Sequence, residues 1–215
     1  MTVTVNGTNA TKVELHEPLF GAWMADVEAD TQADITGQVT LSIEGVDFIG
    51  TVFRGGIESG HWEGRIIAGA AGLGTALTAK QYISVNVRGL LTDIATATGE
   101  TLDTTNSDAA ALTRVVPKWH RMVGTAGAAV RMLLREIGHG YRVSRAGEIV
   151  VGTDTFPEVT LGDEVVTETK PALGIRIIAP LTPGVRPGTT YDGERVSYVV
   201  TRATAGGLRQ ELWRV

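Results

Sequence analysis

His61 stands beside Trp62 and Glu63, and an imidazole two residues from a carboxylate is a pairing that general acid–base catalysis uses. On a strand, however, His61 and Glu63 share one face while Trp62 points to the other, an arrangement common on the wet side of a sheet. His120, next to Trp119, has no G-x-S-x-G serine motif to serve. Asp26, Glu28 and Asp30 alternate along one strand face, and Asp163-Glu164 lie in a turn. Two carboxylates facing across a cleft hydrolyse glycosidic bonds, but alternating acids on an exposed strand read as a solvated face or a subunit contact. The loop Gly69-Ala70-Ala71-Gly72-Leu73-Gly74 follows a strand and invites comparison with a phosphate cradle. Its G-x-x-G-x-G spacing lacks the Lys-Ser/Thr pair of a P-loop, is not the dinucleotide fingerprint, and opens no amphipathic helix at Gly74. A tight turn between modules is the better account. No catalytic residue, cofactor or metal site is expected.

The bulk numbers agree with a scaffold. A chain of 215 residues, 43% apolar and 20% charged, has room for one full domain or a barrel with a second small lobe. A net charge of −5 gives no polybasic surface, which argues against nucleic acid as the main partner. Arg114, Lys118 and Arg121 form a local basic exception. There is no cysteine, so disulfides and thiolate zinc sites are excluded, and His16, His61, His120 and His139 are too far apart in sequence for metal-ligand spacing. The start, Thr2-Val3-Thr4-Val5-Asn6-Gly7, lacks the features of a signal peptide, and every apolar stretch falls short of the roughly 20 residues that span a bilayer. The expectation is a soluble intracellular protein, or one that joins a particle made inside a cell.

The elements that must position these residues come as strands, then helices, then strands. Short strands are predicted at Thr2–Val5, Thr11–Leu15 and Gly21–Val27. A meander follows: Val39, Leu41 and Ile43 alternate with polar residues, a turn at Glu44-Gly45-Val46-Asp47 leads to Phe48–Val52, and a third strand runs Trp62–Ala68. Val87, Leu90, Leu91, Ile94 and Thr98 then adopt helical spacing, with Ser84 as candidate N-cap and Gly99 as the stop. Glu100–Asp108 reads as a loop with one helical turn at Ala109–Leu112, and Pro117 as a break. A second helix is capped by Thr125, carries Ala126, Ala129, Val130, Leu133 and Ile137 on one face, and ends at Gly138. Tyr141–Ser144 and Glu148–Val151 flank the hairpin turn Arg145-Ala146-Gly147. Further strands are read at Thr160–Leu161, Val165–Thr167 and Gly174–Ala179, and a closing hairpin at Arg195–Arg202 and Leu208–Val215. Trp23, Trp62 and Trp213 are expected to meet in a barrel built from both chain ends, with Trp119 at the joint between helix and sheet. The fold class is α+β: a tail-tube-like β-barrel from 1–74 and 160–215, with a helix-containing insertion and a β-hairpin at 75–159.

Three blocks carry a family resemblance. The first is Gly45-Val46-Asp47-Phe48-Ile49-Gly50-Thr51-Val52 with Gly60–Gly69, followed by Val87-Arg88-Gly89-Leu90-Leu91 and Thr98-Gly99-Glu100. The second is Pro117-Lys118-Trp119-His120-Arg121 with Gly124-Thr125-Ala126, continuing to Tyr141-Arg142-Val143 and Gly147–Gly152. The third is Pro183–Thr190, then Gly193-Glu194-Arg195-Val196 and Leu208–Trp213. In this order they resemble the baseplate or tail-tip hub proteins of long-tailed bacteriophages, related to late-control and contractile-tail hubs. Hubs of this type are usually longer, which leaves a second tube-like domain reduced or missing here.

The resemblance implies a non-enzymatic trimer whose barrels form a ring at the distal end of the tail tube. Such a ring joins the sixfold tube to the threefold spike or tip. The implied partners are further copies of the chain, a tail tube or distal tail protein, a spike or tip protein, and the tape-measure protein. DNA would pass only in transit through the channel, with no stable membrane association and no cofactor. The implied location is the virion tail, assembled in the host cytoplasm. Subunit contacts are expected along presumed edge strands, at Thr2, Val3 and Val5 and at Leu208, Gln210, Leu212 and Trp213. The alternatives are a tail-associated peptidoglycan hydrolase, or another tail component such as a distal tail or tube protein.

Overall fold

Alternating apolar and polar residues over the first 68 positions fold into six strands that close on themselves. The structure, a computed structural model, describes residues 2–152, 158–159, 165, 167–169, 175–180, 182, 185–191 and 193–214. The six strands are β1 (Val3–Val5), β2 (Thr8–Pro18), β3 (Met24–Ala29), β4 (Gln38–Ile43), β5 (Val46–Glu58) and β6 (His61–Ala68). They run β1-β4-β5-β6-β3-β2, and β2 pairs back to β1, so the antiparallel ring has no open seam. Val5, Leu15, Leu41, Ile43, Phe48 and Ile66 fill its interior. Two-residue turns make the tight hairpins: Glu44-Gly45 and Ser59-Gly60 both hold positive φ at both positions, the geometry that matches strand twist and needs glycine second.

The middle of the chain supplies β7 (Ala76–Leu77), β8 (Lys80–Asn86), α1 (Val87–Thr98), β9 (Thr101–Leu102), α2 (Ala109–Thr113), β10 (Val115–Arg121), β11 (Gly124–Thr125), α3 (Ala126–Glu136), β12 (Tyr141–Val143) and β13 (Glu148–Val151). Helix α1 buries Val87, Leu90, Leu91 and Ile94, and α3 buries Ala126, Val130, Leu133 and Leu134, all in one core with the barrel. Thr125 caps α3, its hydroxyl accepting from the Ala128 N–H at 3.3 Å, and Gly99 ends α1 at φ 74°, both as read from sequence. The cap of α1 differs: Asn86 accepts from the Gly89 N–H at 2.8 Å, while Ser84 sits inside β8 at φ 51°. Pro117 does not break the chain but lies within β10, and the segment read as a loop holds β9, which pairs in parallel with β13.

The last strands are β14 (Thr167–Thr169), β15 (Ile175–Pro180), β16 (Thr190–Tyr191), β17 (Glu194–Thr204) and β18 (Gly207–Arg214). β17 pairs with β2, and the order continues to β18, β15 and β14, so both chain ends share one eleven-stranded sheet as expected of the α+β barrel class. The ring itself closes through β1, and the C-terminal strands carry the sheet onward from β2 over a small core of Ile177, Val196, Val199 and Leu212. The strand read at Thr160–Leu161, the Asp163-Glu164 turn and Pro183-Gly184 lie outside the described residues.

The presumed edge strands are a correction. β1 lies between β2 and β4, and β18 between β17 and β15, so the backbone of each is paired on both sides. Nor do the tryptophans gather. Trp23 packs edge-on against Phe48 at 5.6 Å, Trp62 sits in β6 opposite Ile57 of β5 and Ala29 of β3, and Trp213 sits under the Arg176 guanidinium at 5.9 Å. Trp62 is fully buried because its indole covers the backbone of Gly55 and Gly64 and donates to Asp34 Oδ1 at 3.2 Å. A Cβ at Gly64 would overlap that ring, and one at Gly55 would come within 2.7 Å of it. Gly64→Ala should therefore lower unfolding stability by about 1–3 kcal/mol in chemical denaturation, with Gly56→Ala, where nothing stands within 4 Å, as the milder control.

Candidate functional site

The residues with catalytic types are engaged structurally. Arg65 donates twice to Asp26, at 2.7 and 2.6 Å, and this hydrogen bonding holds the Asp26 carboxyl below its usual range despite an opposing effect of burial. Among the described residues His61 has an acidic neighbour in Asp30, at 3.7 Å, and the exposed His120 lies opposite Gln81 on the β8–β10 ribbon. The Gly69–Gly74 loop already holds an anion of the chain's own. The buried Glu100 carboxylate accepts from the Ala70 N–H at 3.1 Å and the Gly72 N–H at 2.7 Å, taking donors a phosphate would need. Among the described residues no group of three or more His, Asp or Glu could hold a metal ion.

What the fold presents instead is two projecting β-ribbons. The first is the far half of the β5–β6 hairpin. β4 pairs with β5 as far as Thr51, and beyond it the run Phe53–Glu58 pairs only with β6 among the described residues. Its outer edge is an unused row of backbone donors and acceptors. Phe53 and Ile57 are 63% and 45% exposed on this arm. A groove of about 600 Å³ beside it has the charged residues Lys12, Asp26, Glu28, Arg54, Glu58, Glu63 and Arg65 in its lining. Its charges are mixed, with Asp26 paired to Arg65 and Glu28, Glu58 and Glu63 set beside Lys12 and Arg54.

The second is the two-stranded ribbon of β8 and β10. Its inner face is fixed by Tyr82 and Trp119, whose rings lie 5.7 Å apart, and by the carboxylate of Asp93 on α1. Asp93 accepts from Lys80 Nζ at 2.5 Å, from the Tyr82 hydroxyl at 2.5 Å and from the buried Arg121 guanidinium at 3.2 Å. Arg121 also donates to the Thr78 carbonyl at 3.1 Å, so one cation ties the ribbon to its root. Burial, then the bond to Asp93, pushes the Tyr82 hydroxyl up to about 12. Burial raises Asp93 as well, but the bonds from Lys80 and Tyr82 and the cations outweigh it, and the carboxyl ends below its usual range. The outer surface carries Ile83 (66% exposed), Val115, Met122 and Val123 (76%), with Arg88, Arg114 and Lys118 exposed around them.

The described architecture can be compared with known proteins. No family model matches the sequence, and no curated protein matches it. Solved structures do match. A 43 kDa tail protein of prophage MuSo2 from Shewanella oneidensis superposes with a TM-score of 0.72 at 11% identity, covering 99% of this chain and 96% of that one. The fold is that of a phage tail protein. A tail protein from Neisseria meningitidis MC58 gives 0.71 at 12% identity, covering 99% and 95%. The E. coli c3393 protein, a component of the type VI secretion system with structural similarity to the T4 tail proteins gp27 and gp5, gives 0.70 at 12% identity, covering 100% and 76%.

The residues expected at subunit contacts fall in two sets. Val3 and Val5 are buried in the barrel, Leu212 is buried in the C-terminal core, and Gln210 is buried with its amide accepting from the Thr182 N–H at 3.0 Å. Thr2 is exposed, and Leu208 and Trp213 are half-buried. The two ribbons escaped the sequence reading. Their signals were Phe53 and Ile57 flanking a Gly-Gly pair, and a run from 109 to 126 with no acidic residue.

Asp93→Asn removes the only carboxylate that Arg121 meets among the described residues and leaves a buried guanidinium without that counter-charge. The expected cost is about 2–4 kcal/mol at neutral pH in equilibrium unfolding. Because the folded pKa of Asp93 is depressed, its contribution is present above the unfolded value of about 3.9 and fades as pH falls through the folded one. Wild type and variant should therefore converge in acid, and a difference independent of pH would contradict the assignment.

Proposed function

We propose that this chain is a non-enzymatic structural component of a phage tail, the hub at the distal end of the tail tube. In this reading it joins the tube to the spike or tip and forms part of the central channel. It does so as a trimer in contact with a tube or distal tail protein and a tip protein, and it surrounds the tape-measure protein before DNA passes. It becomes part of the virion tail after assembly in the host cytoplasm.

The observation that carries this is a six-stranded ring with packed helices whose whole length matches tail proteins, among them one with structural similarity to gp27 and gp5. A closed antiparallel ring is rigid and leaves no seam of its own to aggregate, which suits a part assembled into a larger ring. The residue pairs with catalytic types support a structural role, since Asp26 is neutralised by Arg65 and Glu100 serves the backbone.

Light scattering on the purified chain and class-averaged electron micrographs test the reading. A threefold ring is expected. A strict monomer at high concentration overturns the reading, and sixfold rings assign the chain to a distal tail or tube role. Peptidoglycan incubated with the protein should stay intact; degradation that disappears in Glu63→Gln and Asp26→Asn would make the protein a hydrolase.

A further inference from the structure

Beside the C-terminal half of α3 lies an open groove of about 420 Å³. Its apolar surface comes from Phe20, Leu134 and Tyr141, and its basic residues are Arg131, Arg135 and His139. The rest of the lining is glycine, with no Asp or Glu. Phe20 is left 46% exposed, and its ring lies so close over Gly140 that a Cβ there would stand 2.3 Å from it. Arg131 and Arg135 stand one turn apart on the same side of α3, about 6 Å along its axis. Like charges at this spacing weaken a helix; Arg135, in the last turn, is offset by the helix end, whereas Arg131 is not. Among the described residues no carboxylate pairs with either guanidinium. Glu136, the one acid of α3, projects from a different flank and is not in the lining. Asp108 reaches the groove's end but is engaged with His139 at 3.2 Å. Burial raises the Tyr141 hydroxyl above its ordinary value and the neighbouring Arg131 charge opposes that rise, which places the guanidinium beside the groove floor.

We propose that this groove binds an extended acidic segment of a partner protein, one with a large apolar side chain between two carboxylates. Carboxylates at alternate positions of an extended chain lie about 7 Å apart, which suits the spacing of Arg131 and Arg135 along α3. They point to one side, toward α3, and the residue between them points to the other, toward Phe20. Each arginine then gains a charge-assisted hydrogen bond, and the exposed Phe20 ring is covered. A phosphate backbone would satisfy the arginines but leave the Phe20 ring in water, so the mixed lining favours protein over nucleic acid. The proposal concerns a further partner and does not depend on how many copies of the chain assemble.

Backbone amide chemical shifts of the isotope-labelled full chain read the contact. The probe is a short acetylated and amidated peptide carrying glutamate-leucine-glutamate in a glycine–serine frame. Saturable shifts are expected at 20–21 and 131–141, and the affinity should weaken with salt. Twin peptides carrying glutamine-leucine-glutamine or glutamate-serine-glutamate should each bind about tenfold or more weakly. Arg131→Glu combined with Arg135→Glu should lose the acidic peptide and take up a lysine-leucine-lysine peptide instead. Phe20→Ser should keep the preference for acid at about tenfold lower affinity. All three positions are exposed, and thermal melting confirms that the variants fold. The peptide series on wild type reads the site without any substitution. Absence of saturable shifts, shifts that map elsewhere, or equal binding of all the peptides overturns the proposal. So does a preference of the same residues for a DNA duplex or for phosphatidylglycerol vesicles, which would make the groove a phosphate site. Any of these failures leaves the ring reading standing, because light scattering and microscopy judge that separately.

Discussion

Three residues close the barrel. Val3, Thr4 and Val5 lie between Ile43–Leu41 of β4 on one side and, through Thr4 and Val5, Asn9–Thr8 of β2 on the other. Without that short strand β2 and β4 would each expose a row of backbone groups, and the apolar faces of Leu15, Leu41 and Ile43 would meet water. Val3 and Val5 are almost wholly buried, so the closure is made by side-chain packing as much as by its few hydrogen bonds. The same strand leaves β2 free further along. Thr8 and Asn9 pair with β1, whereas Val13 to Pro18 pair with β17, so a single strand belongs to the ring at one end and to the C-terminal sheet at the other.

Buried polar groups then fix the helical segment on this ring. Glu100 holds the Gly69–Gly74 turn, Asp93 and Arg121 root the β8–β10 ribbon, and Glu17 receives a bidentate bond from Arg145 at 2.9 and 3.0 Å. Arg145 also lies 4.9 Å from the ring of Phe48, so the tip of the β12–β13 hairpin is tied to a barrel strand by charge and by an aromatic face. Each tie joins residues distant in sequence. Apolar packing supplies the driving force, and these ties fix where the segments meet.

Local chemistry was legible and distant pairing was not. The hairpin glycines, the helical spacing of Val87 to Thr98, the Thr125 cap and the strand-then-helix-then-strand order all follow from interactions within a few residues. They read correctly from sequence. The N-cap of α1 was misplaced because Ser84 and Asn86 are both good caps. The choice between them depends on the pairing of β8 with β10, which forms across the intervening α1, β9 and α2. Pro117 misled for a related reason: a missing N–H is harmless on an open edge, but openness is a property of the assembled sheet. Whether Val3 or Leu212 lay at an edge likewise depended on partners from other parts of the chain, Leu41–Ile43 and Ile177. The arm stayed hidden because Phe53 and Ile57 look like ordinary strand residues until β4 is seen to stop short of them.

The shared strand also has a mechanical meaning. A force applied to β17 or β18 has no linker peptide to stretch before it reaches the ring, because Val13 to His16 are paired with β17 and with β3 at once. Tension along the strands would load those bonds in shear, many together, while a peeling force would open them one after another. The joint is therefore stiff in one direction and compliant in the other, and its direction of weakness is set by how β2 forks.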